Sequence, residues 1–322
     1  MQKQIWENKI NTVIAQNIIG QKNIYARARK LSEQYRTAER NPSGTSMIAE
    51  QADALAYGLL RLPGTFAAVY ESFVQIKERL PALQVKSLLD LGSGLGSVLY
   101  AAEAQFEMLE QATLLERSKE MQNTGEALAD ALSSIARSWQ EVDITTSELQ
   151  PHDMVTASYV FAELAPEQTA VLLEKMWQVT KKVLCIVEPG TPGGYARIEQ
   201  MKKHLAAWGG NMIAPCATMK PCPLEADFCH FTARTARTRM LQEIKQGQQS
   251  YEDEAFLFLA VAKDALAERE EKRIIRRPEK GKGHIKLTLC SKEGIQKETI
   301  TKKQAAYKKI RKAKWGERIP LQ

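Results

Sequence analysis

The chain has 322 residues, 44% of them hydrophobic, with 45 Lys and Arg against 38 Asp and Glu and five cysteines. This composition suits one or two packed domains and excludes global disorder, and no apolar run approaches the ~20 residues that cross a bilayer. Neither a signal peptide nor a disulfide scaffold is expected, so the sequence predicts a cytoplasmic protein without a membrane partner.

The first 80 residues are expected to be helical. Apolar residues recur at helical spacing over residues 4–38 and 46–79, and residues 41–44 read as a loop between the two segments. Pro63 and Gly64 are expected to break or kink the second segment, because a proline removes one hydrogen bond inside a helix.

Residues 81–292 alternate between short apolar runs and helical segments. This alternation predicts an α/β fold, in which a mostly parallel sheet carries helices on both faces. After a helix at residues 195–208, residues 211–232 are rich in Pro and Cys and lack periodicity. The strand-like runs lie at residues 85–89, 113–116, 139–142, 154–159, 183–187, 255–261 and 284–289.

A glycine-rich turn, Asp90 to Gly96, follows the first predicted strand and leads into a helix. Glycines let a ligand approach the N–H groups at a helix start, and Glu116, which ends the next strand, can accept hydrogen bonds from a ribose. A dinucleotide requires G-x-G-x-x-G, whereas this turn reads G-x-G-x-G after Asp90 and resembles the first motif of class I S-adenosylmethionine (SAM) methyltransferases. The resemblance implies that Asp90 helps to hold the methionine part and Glu116 the ribose. A dinucleotide site and an ordinary tight turn remain alternatives.

The fourth predicted strand ends where ligands bind in open α/β sheets. It resembles the fourth methyltransferase motif, and Ser158, Tyr159 and Glu163 supply polar side chains there, with packing or helix capping as the alternative. No N-P-P-Y sequence or nearby nucleophilic cysteine occurs, so no catalytic residue is predicted, although methyl transfer needs mainly alignment. The predicted cofactor-binding residues are Asp90, Gly92, Ser93, Gly94, Gly96, Glu116 and Ser158.

Four of the five cysteines are candidate metal ligands. Cys216, Cys222 and Cys229 are separated by five and six residues, Cys290 lies 61 positions beyond Cys229, and Cys185 sits in an apolar strand as a core thiol. Structural zinc sites usually contain tight C-x₂₋₄-C pairs, which are absent, whereas iron–sulfur clusters are also held by four thiolates with more variable spacing. The spacing alone leaves zinc, an iron–sulfur cluster and unrelated thiols open.

The charge is concentrated at the C-terminal end. Residues 271–322 carry a net charge of +12, which leaves −5 for residues 1–270. A basic segment of this kind predicts a polyanionic partner, first of all nucleic acid, with a solvated tail as the alternative. Tyr307 and Trp315 are positioned among the lysines where aromatic rings could stack on bases, and the spacing of Ile310 and Ala313 favours a helix.

Taken together, these segments resemble a methyltransferase-like family of small-ribosomal-subunit assembly proteins with mitochondrial and bacterial members. The similarity covers roughly residues 25–318, and its most specific part surrounds the cysteines. The matching segments are Leu31–Arg36, Arg61–Val69, Asp90–Gly94, Ala157–Leu164, Val187–Pro192, Ala214–Cys216, Cys222–Leu224, Cys229–Phe231, Tyr251–Glu254, Arg276–Pro278, Gly283–His284, Cys290 and Lys314–Gly316.

The resemblance implies a class I methyltransferase fold, a 4Fe–4S cluster on Cys216, Cys222, Cys229 and Cys290, and association with small-subunit rRNA or the assembling small subunit. Ala217 and Thr218 depart from the Pro-His that family members commonly carry. Two functions follow: a SAM-dependent rRNA methyltransferase, or a non-catalytic iron–sulfur assembly factor with a vestigial SAM pocket. The expected organisation is a helical region at 1–80, a methyltransferase-like domain at 81–292 with a cysteine-rich insertion at 209–250, and a basic extension at 293–322.

Overall fold

A computed structural model describes residues 1–21, 23–36, 48–224, 227–267 and 271–320. Three N-terminal helices precede the sheets: α1 (Gln2–Ile18), α2 (Ile24–Arg36) and α3 (Gln51–Arg79). The long helix α3 packs against α1, α2 and α4 (Ser97–Gln105), so the N-terminal helices share one hydrophobic core with the first sheet.

The expected break at Pro63 is wrong, because α3 runs without interruption through this residue. The helix predicted over residues 4–38 is instead two helices that separate after Ile18, and Asn23 takes a left-handed φ of 62° just before α2. Apolar residues continue across the junction, which is why the periodicity did not reveal it. The predicted loop at residues 41–44 lies outside the described residues.

The remaining helices and the first eight strands build the main α/β unit. Its helices are α5 (Lys119–Leu132), α6 (Pro166–Val179), α7 (Pro192–Ala207) and α8 (Arg239–Ile244). Its strands are β1 (Ser87–Leu91), β2 (Gln111–Glu116), β3 (Ala136–Glu141), β4 (His152–Ser158), β5 (Thr180–Pro189), β6 (Asn211–Ala214), β7 (Phe231–Ala236) and β8 (Tyr251–Ala262).

The first sheet has the order β3-β2-β1-β4-β5-β8-β6, with β7 also paired to β8. The first five strands in this order are parallel, whereas β8 is antiparallel to both β5 and β6. Strands β1 and β4 are buried over most of their length because helices cover both faces. The carboxyl ends of β1, β2, β4 and β5 consequently form one edge of the sheet.

The basic C-terminal segment folds into a second sheet. It comprises β9 (Glu271–Ile274), β10 (Glu279–Gly281), β11 (His284–Ser291), β12 (Gly294–Thr301) and β13 (Arg318–Pro320), with the one-turn helix α9 (Tyr307–Ile310). Strand β11 pairs with β10, β12 and β9, and β9 pairs with β13. The helix expected around Ile310 is present as α9, whereas most of the remaining segment is strand. The predicted boundary at residue 292 falls between β11 and β12, which pair along their whole length; the predicted division into domains remains a prediction.

The second sheet has its own small core. Alternate residues of β11, namely Ile285, Leu287 and Leu289, face inward and pack with Ile310 and Ala313. The apolar spacing noted for this segment therefore does bury one face. Across the described ranges, no helix is long and apolar enough to cross a membrane; the expected cytoplasmic location remains a prediction.

Candidate functional site

The glycine-rich turn connects β1 to α4 at the carboxyl edge of the first sheet. Gly92 and Gly94 adopt left-handed φ values of 66° and 52°, which other residues rarely take. The backbone N–H of Ser93 donates to the carbonyl of Leu115 on β2 at 2.9 Å, which fixes the turn against the neighbouring strand. A side chain at position 92 would collide with Cγ2 of Val160, at 2.5 Å, so glycine is needed here for packing.

Asp90 ends up almost fully buried, with 1% of its surface exposed. Its Oδ1 accepts a hydrogen bond from Thr156 at 2.7 Å, whereas Oδ2 and the nearby buried Oγ of Ser93 have no partner among the described residues. Burial raises the pKa of Asp90 to about 8, and the Glu116 carboxylate adds to this effect. Two unpartnered polar atoms beside one turn are what a small polar ligand would satisfy.

Glu116 lies where the sequence placed it, at the carboxyl end of β2. Its Oε2 accepts from the N–H of Gly94 at 2.9 Å and its Oε1 from the N–H of Ser118 at 2.8 Å. Each carboxylate oxygen can accept a further bond, so Glu116 is held beside the turn with capacity left for hydroxyl donors. The structure thus brings Asp90, the turn and Glu116 together.

The other two predicted residues lie at the same edge. Ser158 is the last residue of β4, half-buried and paired in register with Val187 of β5. Gly96 is the residue before α4 and packs against the rings of Trp139 and Tyr100. Ser158 therefore lies at the carboxyl edge, whereas Gly96 has a packing role in this structure.

The sequence singled out Tyr159 at this edge but not its partners Arg61 and Glu254, with which it forms a polar cluster. Tyr159, with a φ of 63°, donates its hydroxyl to Glu254 at 3.1 Å, and Arg61 of α3 bonds the same carboxylate at 3.1 Å. Burial and the Glu254 carboxylate raise the pKa of Tyr159 well above its usual value. A left-handed tyrosine is a strained conformation that surrounding contacts must hold.

The four candidate ligand cysteines line one cavity of about 200 Å³. Cys216, Cys222 and Cys229 come from the segment between β6 and β7, and Cys290 comes from β11 of the second sheet. None of the four is in a disulfide. The cavity therefore lies where the two sheets meet. Cys290 is 61 positions from Cys229, the nearest of the other three cysteines in the sequence.

The walls of the cavity carry buried cations. Lys202 of α7 is 2% exposed and bonds Glu199 at 2.5 Å, and the second oxygen of Glu199 accepts the N–H of Cys222 at 3.0 Å. Arg273 of β9 also lines the cavity. Burial raises the pKa of Cys216, and burial with the neighbouring thiols raises that of Cys290 to about 12.

Three further observations concern the predicted metal residues and their neighbours. Over the described residues, no group of three or more His, Cys, Asp or Glu side chains is arranged to hold a metal ion. Cys185, expected to be a core thiol, is 1% exposed inside β5. His230, which follows Cys229 in the sequence, does not line the cavity; its ring packs edge-on against Trp315 at 4.7 Å between centroids.

The basic segment exposes many cations without partners. In the described part of residues 271–320, the exposed lysines and arginines that have no ion pair are Arg277, Lys280, Lys282, Lys286, Lys297, Lys302, Lys303, Lys308, Lys309, Arg311, Lys312 and Lys314. Tyr307 packs partly on the second core and Trp315 on His230, and both remain half-buried; their stacking on bases stays a prediction.

The strand order defines the class of protein. Parallel strands in the order β3-β2-β1-β4-β5, followed by an antiparallel β8 inserted before β6, are the class I SAM methyltransferase fold that the sequence predicted. Residues 51–320 match the family model described as "Mitochondrial small ribosomal subunit Rsm22". Because this match covers most of the chain, the protein belongs to that family.

Three known proteins show what the chain is similar to. It is 26% identical over 294 residues to the human ribosome assembly protein METTL17, mitochondrial, and the match covers 83% of this chain and 62% of that protein. It resembles the structure of magnesium protoporphyrin IX methyltransferase from Synechocystis PCC 6803 with bound SAM (13% identity, 74% of this chain and 97% of that chain, TM-score 0.42). It also resembles a putative RNA methyltransferase from Pyrococcus horikoshii (13% identity, 60% and 80%, TM-score 0.40).

Proposed function

We propose that this protein binds small-subunit rRNA during assembly of the small ribosomal subunit, and that it holds SAM at the first sheet and a 4Fe–4S cluster between the sheets. The observation that carries the proposal is the composition of β11. This one strand contributes Cys290 to the cysteine cavity. It also contributes Lys286 to the exposed lysines and arginines that form no ion pair. A cluster at that position would tie the nucleic-acid surface to the methyltransferase-like body.

The proposed SAM site rests on the turn between β1 and α4. The unpartnered Oδ2 of Asp90 and Oγ of Ser93 fit an amino group and a small polar acceptor, and Glu116 retains capacity for ribose hydroxyls. Gly92, Gly94, Gly96 and Ser158 complete the proposed set. SAM would supply a methyl group there, and these residues would bind and orient it.

The proposed cluster rests on the donor set. Four thiols around a cavity of about 200 Å³ suit a multi-atom cluster, whereas a single zinc ion is held at about 2.3 Å from each sulfur. The ligands would be Cys216, Cys222, Cys229 and Cys290. When bound, the cluster would supply a rigid cross-link between sheets and a redox-active centre.

The proposed RNA surface is the outer part of the second sheet with α9. The unpaired cations around Lys308 and Lys309 provide the phosphate-neutralising charge that dominates nucleic-acid affinity. The human relative is a ribosome assembly protein by name, which supports an assembling small subunit as the source of the RNA.

A second candidate is the non-catalytic assembly factor. One observation favours it: the polar groups closest to the end of β4 bond each other, since both Tyr159 and Arg61 are engaged with Glu254.

The cluster is tested with Cys290→Ser against Cys185→Ser, purified without oxygen. Iron and sulfide per chain, the absorption spectrum and co-sedimentation with small subunits are measured. We expect wild type and Cys185→Ser to contain about four irons per chain, and Cys290→Ser to lose most of both iron and subunit binding. Zinc in place of iron in the wild type would refute the iron–sulfur proposal.

The two candidate functions are separated by a pocket variant, Asp90→Ala combined with Gly94→Trp. SAM binding is measured by calorimetry, and small-subunit assembly by complementation of cells that lack the protein. Methyltransferase function predicts loss of both SAM binding and assembly. Full assembly by a variant that no longer binds SAM would establish the non-catalytic candidate.

A further inference from the structure

Arg273 is a buried cation in an unusual position. Its guanidinium is almost fully enclosed, with 6% of the residue exposed, and it donates Nε to the carbonyl of Pro215 at 2.5 Å and Nη1 to the carbonyl of Gly316 at 2.7 Å. The face of the Phe231 ring lies 5.5 Å away. Its Nη2 is buried and has no hydrogen-bond partner among the described residues.

No carboxylate forms an ion pair with Arg273 within the described structure, although Glu271 of the same strand, which is paired with Arg318, acts on its charge from a distance. The other buried cation of the cavity, Lys202, is paired with Glu199, so that pair is neutral. Arg273 has no ion pair, and its direct neighbour on β13 is a second cation, Arg318. Burying an unpaired charge and facing like charges across strands are both unfavourable, so an anion is expected to lie against Arg273 in the functional protein.

The surroundings identify where this anion must be. Arg273 is directly opposite Cys290 across the β9–β11 pair, so both side chains point to the same side of the second sheet. The carbonyl that Arg273 holds belongs to Pro215, which immediately precedes Cys216. Arg273 also lines the four-cysteine cavity. The guanidinium therefore stands between the ligand from the second sheet and the ligands from the first.

We propose that Arg273 is the counter-charge and positioning residue for a buried polyanionic iron–sulfur centre in this cavity. The proposal rests on the proposed cluster and adds which residue balances its charge. Four thiolates and a 4Fe–4S core together carry a net negative charge, and one-electron reduction adds one further negative charge. A fixed cation beside the centre stabilises the reduced form, and its contacts with Pro215 and Gly316 hold the surrounding loops.

The test uses three variants of the full chain, purified without oxygen. Arg273→Met removes the charge, Arg273→Lys keeps a charge without the planar fork, and Lys263→Met removes a half-buried cation at the opposite edge of the first sheet. Iron and sulfide per chain, and the midpoint potential in a redox titration followed by electron paramagnetic resonance, are measured. The iron and sulfide content shows whether the site holds a cluster. The midpoint potential shows whether the charge of residue 273 acts on that cluster.

We expect Arg273→Met to shift the reduction equilibrium at least tenfold toward the oxidised form, about 59 mV more negative for one electron. Arg273→Lys should have a midpoint potential close to that of the wild type, and Lys263→Met should match the wild type. If Arg273→Met loses the cluster, retention in Arg273→Lys supports the charge role, whereas loss in both variants overturns it. A potential equal to wild type in Arg273→Met also overturns it. Wild-type protein without iron and sulfide would refute the proposed cluster itself.

Discussion

At the scale of single residues, the carboxyl edge of the first sheet combines satisfied and unsatisfied polar groups. Arg61, Tyr159 and Glu254 bond one another, whereas one oxygen of the almost fully buried Asp90 has no partner in the described part of the chain. A protein retains such a group at a cost of roughly 1–3 kcal/mol, so its presence indicates a ligand-binding role rather than a stabilising one.

The protonation of Asp90 provides a measurable consequence. Its pKa is raised from 3.8 to about 8, so between these values the folded chain binds a proton that the unfolded chain releases. This contribution to the free energy of unfolding is present below about pH 4 and is lost as the pH rises toward 8. The predicted slope is at most about 1.4 kcal/mol per pH unit.

We therefore expect Asp90→Asn, which keeps an acceptor for Thr156, to lose less stability than wild type between pH 5 and pH 8. Urea denaturation of both proteins across this range, without added SAM, measures the difference. Above pH 8 the variant should be the more stable of the two. Parallel pH profiles would show that Asp90 is ionised at neutral pH in the folded chain.

At the scale of elements, β1, β2, β4, β5 and β8 were predictable because each contains a compact apolar run. Strands β6 and β7 were not predicted, because they begin within residues 211–232, where the sequence lacks periodicity. Strand β11 was also visible, since Ile285, Leu287 and Leu289 alternate with polar residues. The short strands β9 and β13 were not, because three or four residues carry no period of their own and are held by distant partners. Propensity rules likewise placed a break at Pro63, where packing of α3 on three neighbours keeps the helix intact.

In the candidate site, too, residues with a local sequence signal were predicted and residues brought together only by the fold were not. The glycine turn, Glu116 and the four cysteines were found because their residue types and spacing carry the signal. Arg61 and Glu254 were missed, since they are separated by 193 positions and only the fold brings them together. Arg273 was missed because it looked like one of many cations in a basic segment.

The small second core allows a prediction for one element. Ile310 of α9 is 6% exposed and packs on β11, whereas Lys309 beside it is exposed. Removing a buried isoleucine side chain costs about 2–5 kcal/mol. We expect Ile310→Ala to accelerate tryptic cleavage in residues 302–314, with little change in Lys309→Ala. Equal cleavage rates in both variants would mean that α9 is not anchored by Ile310.

At the scale of the whole molecule, the acidic and basic parts of the chain coincide with the two sheets. Residues 1–270 form an acidic body with net charge −5, and the second sheet carries most of the +12 of the remaining residues. An acidic body disfavours contact with phosphates, so in the proposed function the basic sheet would turn toward the RNA before any specific contact forms.

This distribution predicts the salt dependence of RNA binding. Replacing Lys308, Lys309, Arg311 and Lys312 with glutamine removes four exposed cations around α9, and the same change at Arg29, Lys30, Lys181 and Lys203 removes four from the body. Each lost phosphate contact lowers the slope of log K against log salt by about 0.7 for single-stranded RNA. We expect a drop of about 1–3 in slope for the first variant and none for the second, measured by fluorescence anisotropy with a small-subunit rRNA fragment. An unchanged slope in the α9 variant would place the RNA on another surface, because loss of true phosphate contacts cannot leave counterion release unaltered.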